Sequence, residues 1–367
     1  MIPLIPIVFF PYFISLSFPF ASALLLFFLV TNRGFALGLT DIPDSRKLHL
    51  KPVPAIGGVV LSLCLLATAC IPGSLQHFVI HHKAISTSFL LLFLTGLADD
   101  RWNLAAIFKL WIQITCAALV AYGGDRLTSL HGILGIDALP LAWQYILTIL
   151  VITGVINAFN LIDGIDGLAG SIMLLNNIVF IILIILIRHT DWLGFLLAAS
   201  SVLAVFLKYN WQPAAIFLGD SGALPLGLVA AVAGIDLIQT TGTTYPAIQS
   251  LSLVLVSGSC MLPVIDAVRV CCCRLQKGHS PFKADNLHLH HFLLLLHHSH
   301  AKATYRLLQV HVLLLSFSAV IVYFIPATWV IILQATTVLI YAQLTRLAWN
   351  KKLRSRQLTS KATGLPA

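Results

Sequence analysis

Uninterrupted apolar runs decide what this chain can fold into. IVFIILIILI at 178–187 is the extreme case, and runs of the same character recur from end to end. In hydrocarbon every backbone N–H and C=O must find a partner within the chain, so only helices and closed barrels cross a bilayer. Barrel strands alternate apolar and polar residues, and these runs do not. The chain has 10% charged residues, against about a quarter in soluble domains. Its mean hydropathy is +0.94. The expected fold is therefore all-α: a polytopic integral membrane protein with about 11 transmembrane helices and its working residues on cytoplasmic loops. The spans are placed near 8–32, 56–72, 84–98, 104–122, 141–157, 168–187, 192–207, 222–238, 247–270, 306–325 and 328–348. The first run has no basic n-region and no A-x-A site, so it is read as retained. No linker or fixed-period repeat divides the chain. Residues 1–348 read as a single transmembrane domain and 349–367 as a basic cytoplasmic tail.

Charge placement sets the orientation. Nineteen of the 22 Lys and Arg residues fall on loops and ends of one side, leaving Lys83, Arg126 and Arg188 on the other. The positive-inside rule puts the crowded side in the cytoplasm. The net charge of +9 then reflects topology and attraction for anionic partners. No basic helix with interleaved aromatics argues for nucleic acid. Cys64, Cys70, Cys116 and Cys260 lie in apolar spans and read as small hydrophobes. Cys271, Cys272 and Cys273 sit at a cytoplasmic span end, where thiols stay reduced. All thirteen acidic residues are aspartates, and nine fall on the cytoplasmic side. Carboxylates at membrane depth are costly and tend to be functional.

Five polar stretches on that side carry the chemistry. DIPDSRKLHLKPVPAIGG offers Arg46, Lys47, His49 and Lys51 to an anion, although a routine positive-inside loop reads the same way. GLADDRWNLAAIFKL pairs Asp99 with Asp100 and adds Lys109; adjacent carboxylates suit a divalent cation, or the start of a helix. NAFNLIDGIDGLAG spaces Asn157, Asn160, Asp163 and Asp166 three apart, which fans them around an α-helix. IFLGDSGALPLG brackets Asp220 with Gly219 and Gly222, as a ligand-facing turn or a plain N-cap would. DAVRVCCCRLQKGHSPFKADNLHLHHFLLLLHHSH gathers cations ahead of His288, His290 and His291; zinc spacing is missing. No Walker A, dinucleotide or nucleophile-elbow motif is present. Oxygen ligands beside Lys, Arg and His suit magnesium held partly by substrate phosphates, and phosphoryl transfer at a membrane surface.

In order, these five stretches resemble the polyprenyl-phosphate N-acetylhexosamine-1-phosphate transferases, over about residues 41 to 300. The ending SPF-x-x-D-x-x-H-L-H-H is similar to the bacterial undecaprenyl-phosphate N-acetylglucosamine-1-phosphate transferases. The resemblance makes 1–348 a transferase domain and implies a reaction. Undecaprenyl phosphate takes the sugar phosphate at the β-phosphorus of a UDP-N-acetylhexosamine, UDP-N-acetylglucosamine first, by direct attack or through a covalent aspartyl intermediate, and UMP leaves. That is the initiating step of a cell-envelope polysaccharide at the cytoplasmic face of a bacterial inner membrane. Magnesium, or manganese in its place, is implied as cofactor; the oligomeric state stays open, with a homodimer as one option. Asp220 resembles the magnesium ligand and Asn160 its helper. Asp99 and Asp100 match the catalytic pair, with Asp99 set to deprotonate or position the lipid phosphate. Lys109 matches a diphosphate-binding lysine, and Asp163 and Asp166 line the nucleoside pocket. Arg46, Lys47, His288, His290 and His291 face phosphate. Asn103 stands where the family often has Asp or Glu, and the trailing HHSH receives no role. Another UDP-hexosamine donor, or a non-enzymatic transporter of anionic lipid, remains as an alternative.

Overall fold

The computed structural model describes residues 5–30, 38–41, 52–281, 287–297 and 299–363. Arg46 and Lys47 lie outside the described residues. Helices dominate, and two short antiparallel hairpins are the only strands among the described residues.

The helices follow the apolar runs. They are α1 (Ile5–Val30), α2 (Gly57–Ala69), α3 (Ser74–His81), α4 (Lys83–Trp102), α5 (Ala106–Gly123), α6 (Leu141–Ile162) and α7 (Leu168–Ile187). Then come α8 (Leu193–Asn210), α9 (Asp220–Thr244), α10 (Pro246–Gln276), α11 (Leu289–His297), α12 (His300–Ile321) and α13 (Ala327–Thr363). Nine described helices are long and apolar enough to cross a membrane, or ten if α2 and α3 form one broken span. The expected count of 11 is therefore not reached on that measure. Two places account for the difference. The second expected span, 56–72, holds only the 13-residue α2, which ends at Ala69 and meets α3 at 94° across Pro72-Gly73; proline and glycine interrupt a helix there. The third is α4, whose ends carry Lys83 and the run Asp99, Asp100, Arg101. At the other terminus α13 runs unbroken across the expected boundary at 348.

The core is organised around α9, the most enclosed of the nine candidate spans. Its first half is built from small residues (Gly222, Ala223, Gly227, Ala230, Ala231), which let neighbouring backbones approach closely. Gly58 of α2 lies directly on the Gly222 backbone, and Gly96 of α4 on that of Asp220. A Cβ on Gly227 would stand 2.8 Å from Ile156 Cα in α6. The start of α9 is also tied to the chain before α2. Phe217 N–H donates to the Pro54 carbonyl at 2.8 Å, and Gly57 and Gly58 N–H donate to Phe217 and Leu218 carbonyls at 2.9 and 2.8 Å. One hairpin, β1 (Thr40–Asp41) with β2 (Val53–Pro54), lies next to this ladder; the other, β3 (Ser129–Ile133) with β4 (Ile136–Ala138), lies at the opposite end of the bundle.

Further from the site, buried polar pairs join the helices. His311 Nε2 of α12 lies 3.0 Å from Asn176 Oδ1 of α7, and Asn176 donates to the Ser259 carbonyl of α10 at 3.0 Å. Gln334 of α13 donates to Ser318 Oγ and to the Val254 carbonyl, both at 2.8 Å. In an apolar medium such bonds fix which helices pair.

Candidate active site

The carboxylates of the second and fourth stretches meet through one lysine. Lys109 Nζ, on the first turn of α5, stands 2.8 Å from Asp99 Oδ2 and 2.8 Å from Asp220 Oδ2. Asn160 donates from Nδ2 to the same Asp220 oxygen at 3.3 Å. Side-chain exposures of 18% for Lys109, 14% for Asp99 and 20% for Asp220 make the group sheltered but reachable. Four helices supply it, and each brings a polar residue at its end.

Local structure explains why these residues converge. Asp99 Oδ1 accepts from Leu104 N–H at 2.7 Å, holding the α4–α5 turn. Asn103 ends α4 in the left-handed region at φ 50°, a conformation asparagine tolerates better than most residues. The position where the family often carries Asp or Glu is here an exposed helix cap. Asp100 has both oxygens on the first N–H groups of α9, at 2.8 Å from Asp220 and 3.1 Å from Ser221. A helix start leaves those donors unpaired and partly positive, so a carboxylate from α4 caps α9 and sets Asp220. Gly219 makes this possible: its φ is +73°, and a Cβ there would lie 2.6 Å from Asp100 Oδ2.

The residues spaced by three in NAFNLIDGIDG do separate work. Asn157 donates to Gln113 Oε1 of α5 at 2.5 Å and to the Thr153 carbonyl at 2.8 Å. Asn160 turns to Asp220. Asp163 ends α6 as its C-cap, half-buried, its N–H donating to the Asn160 carbonyl at 3.4 Å. The expectation for Asp166 was a nucleoside; its side chain is engaged by protein groups, with His300 Nδ1 at 3.1 Å and Ala214 N–H at 3.2 Å.

The histidines reach the same turn from the other side. Gly164 lies against the His290 ring, close enough that no Cβ fits. The His290 ring stacks on His288 with centroids 5.7 Å apart, and lies 4.2 Å from that of His291. Burial, together with neighbouring His291 and His288, holds the His290 imidazole well below its usual pKa. His288 is oriented by Asp266, whose Oδ2 lies 3.0 Å from Nδ1. Arg269 Nη2 and Leu289 N–H donate to the same carboxylate at 2.6 and 3.1 Å. Nε2 of His288 is buried, with no hydrogen-bond partner among the described residues. One turn thus joins two groups: Asn160 touches Asp220, and Gly164 touches His290.

Asp266, Arg269, Gln113 and His300 were not picked out from the sequence as site-forming residues. Asp266 with Arg269 had a visible signal, opposite charges three apart near the end of an apolar run. Gln113 and His300 had none, since their partners lie far away in the chain. Among the described residues no group of three or more His, Cys, Asp or Glu side chains surrounds a common metal position. Around Asp220 stand the Lys109 ammonium, the Asn160 amide and, across the lysine, the Asp99 carboxylate. That chemistry fits a hard cation sharing its coordination with substrate oxygens.

Comparison with known proteins gives the same direction. The model of "Glycosyl transferase family 4" matches residues 82–238, which carry Asp99, Lys109, Asn160 and Asp220. A decaprenyl-phosphate N-acetylglucosaminephosphotransferase of Mycolicibacterium smegmatis is 30% identical over 72% of this chain and 71% of its own length. A probable undecaprenyl-phosphate N-acetylglucosaminyl 1-phosphate transferase of Bacillus subtilis is 26% identical over 74% of each. An undecaprenyl-phosphate alpha-N-acetylglucosaminyl 1-phosphate transferase of Escherichia coli is 26% identical over 85% of each. With a relative at 30% identity across more than two thirds of both chains, and with the family match falling on the helices that build the site, this chain belongs to glycosyl transferase family 4.

Proposed function

We propose that the protein transfers N-acetylglucosamine-1-phosphate from UDP-N-acetylglucosamine to undecaprenyl phosphate, releasing UMP. The observation that carries this reading is the ammonium of Lys109 set between Asp99 and Asp220 at the ends of apolar helices. A diphosphate needs fixed positive charge near its bridging oxygens, and a lipid phosphate can reach such a site from the bilayer surface. The relatives are named for polyprenyl-phosphate acceptors and N-acetylglucosamine phosphate. An oxygen of the lipid phosphate forms a bond to the β-phosphorus, while the bond from that phosphorus to the bridging oxygen breaks and UMP departs with that oxygen.

Each residue then has a task. Asp99 orients the lipid phosphate and takes any proton it carries. Lys109 holds the diphosphate, and Asp100 fixes Asp220 through the start of α9. Asp220, with Asn160 beside it, would hold magnesium or manganese, which when bound offsets charge developing on the phosphates. His288, His290 and His291 serve the phosphates, and the Asp163 turn receives the nucleoside. The site faces the cytoplasm of a bacterial inner membrane, and the product is the first lipid-linked sugar of an envelope polysaccharide.

A donor panel tests this. Purified protein in detergent with undecaprenyl phosphate and magnesium should release UMP from UDP-N-acetylglucosamine at least about tenfold faster than from UDP-N-acetylgalactosamine. Chelation with EDTA should stop it. Equal rates would remove the donor assignment, and absence of UMP with every donor would remove the enzyme.

A further inference from the structure

The turn between α6 and α7 is gripped from outside by α12. His300, the first residue of that helix, places Nδ1 3.1 Å from Asp166 Oδ1 and 3.3 Å from the Asp166 backbone nitrogen. One turn later the buried Thr304 donates its hydroxyl to the Asp166 carbonyl at 2.7 Å. The two contacts fall on the carboxylate and the backbone of one residue, so together they fix both where it sits and how it is rotated. The grip is itself anchored. Ser299 caps α12 by accepting from Lys302 N–H at 3.4 Å, and Gln212 Oε1 accepts from Ser299 Oγ at 3.0 Å and from Ala301 N–H at 2.5 Å.

The turn needs such a hold. Gly164 and Gly167 flank Asp166, and glycine gives the backbone freedom that must be removed before a ligand can be bound tightly. Gly167 has φ +76°, and Gly164 carries His290 on its bare face. Fixing Asp166 between them therefore fixes both. His300 and Thr304 bond to Asp166, whereas Asp99 and Asp220 meet at Lys109, so a defect here should reach the reacting phosphorus only through the turn.

We infer that His300 and Thr304 are positioning residues that hold the Asp163–Gly167 turn in the shape that receives the nucleotide-sugar donor. The inference rests on the function proposed above and gives a role to the HHSH segment, which the sequence left without one. Loss of the grip weakens donor binding and leaves the acceptor alone.

The test uses the full-length protein in detergent. His300→Ala should raise KM for UDP-N-acetylglucosamine by about threefold to tenfold, the scale of one hydrogen bond, with KM for undecaprenyl phosphate unchanged. His300→Asn, whose side-chain amide stands near the place of Nδ1 and can accept from the Asp166 N–H, should recover most of that loss. Thr304→Val should raise donor KM by about threefold to tenfold; it keeps the inference testable should His300→Ala misfold. Backbone hydrogen exchange over 163–168 should quicken in both variants and stay unchanged at the start of α9. An unchanged donor KM in an active protein overturns the inference while leaving the proposed function standing. So does a parallel rise in both KM values, or an Asn variant no better than Ala. Wild-type protein that releases no UMP removes the proposed function, and this inference with it.

Discussion

At the scale of residues, one ammonium balances two carboxylates. Unit charges 4 Å apart interact by on the order of 4 kcal/mol at an effective dielectric of 20, so Asp99 and Asp220 are held together by Lys109 rather than by proximity alone. The same precision appears where no charge is involved. Gly96 lies on the backbone of Asp220 and Ser221, and backbone cannot step aside as a flexible side chain can. Gly96→Ala should displace the start of α9, cost about 1–3 kcal/mol of stability and cut turnover at least about tenfold. Gly154→Ala is the control, since a Cβ there meets nothing within 4 Å. Thermal unfolding in detergent and UMP release, measured on both variants, decide it; equal behaviour of the two would refute the close-packing account.

At the scale of elements, helix pairing is set by small residues near the site and by polar pairs away from it. Asn176 bonds to His311 of α12 and to the Ser259 carbonyl of α10. Interhelical bonds of this kind contribute about 0.6–2 kcal/mol in membranes. Asn176→Leu should lower stability by that amount while donor KM stays within twofold or so. A large KM change with unchanged melting would mean that this pair serves the site instead of the bundle. Most elements were legible, because apolar length alone calls for a helix. The end of α2 was legible as well, since the second expected span stops at Pro72, but the short α3 that follows was not. The capping of α9 by Asp100 was not. A helix start announces that it needs an acceptor, and nothing in the local sequence says that the acceptor belongs to another helix.

At the scale of the whole molecule, the five polar stretches were readable as one face. The structure joins the described parts of all five: Gly57–Gly58 to Phe217–Leu218, Asp100 to Asp220, Asn160 to Asp220, and Gly164 to His290. The cations Arg46 and Lys47 stand outside that description. What the sequence withheld was the division of labour within a stretch. Asn157, Asn160 and Asp166 look alike on paper, yet they face Gln113, Asp220 and His300. The orientation proposed here has its own check. In a cysteine-free background, Asp137→Cys should react with a membrane-impermeant maleimide on intact cells, and Lys277→Cys only after permeabilisation; the reverse pattern would invert the topology. The central claim is that Asp99, Lys109 and Asp220 form the reacting centre. It is tested most directly by UMP release from UDP-N-acetylglucosamine and undecaprenyl phosphate, comparing wild type with Lys109→Gln and Asp220→Asn. Both variants should fold and lose at least about a hundredfold in turnover; wild-type turnover by either folded variant would contradict the account.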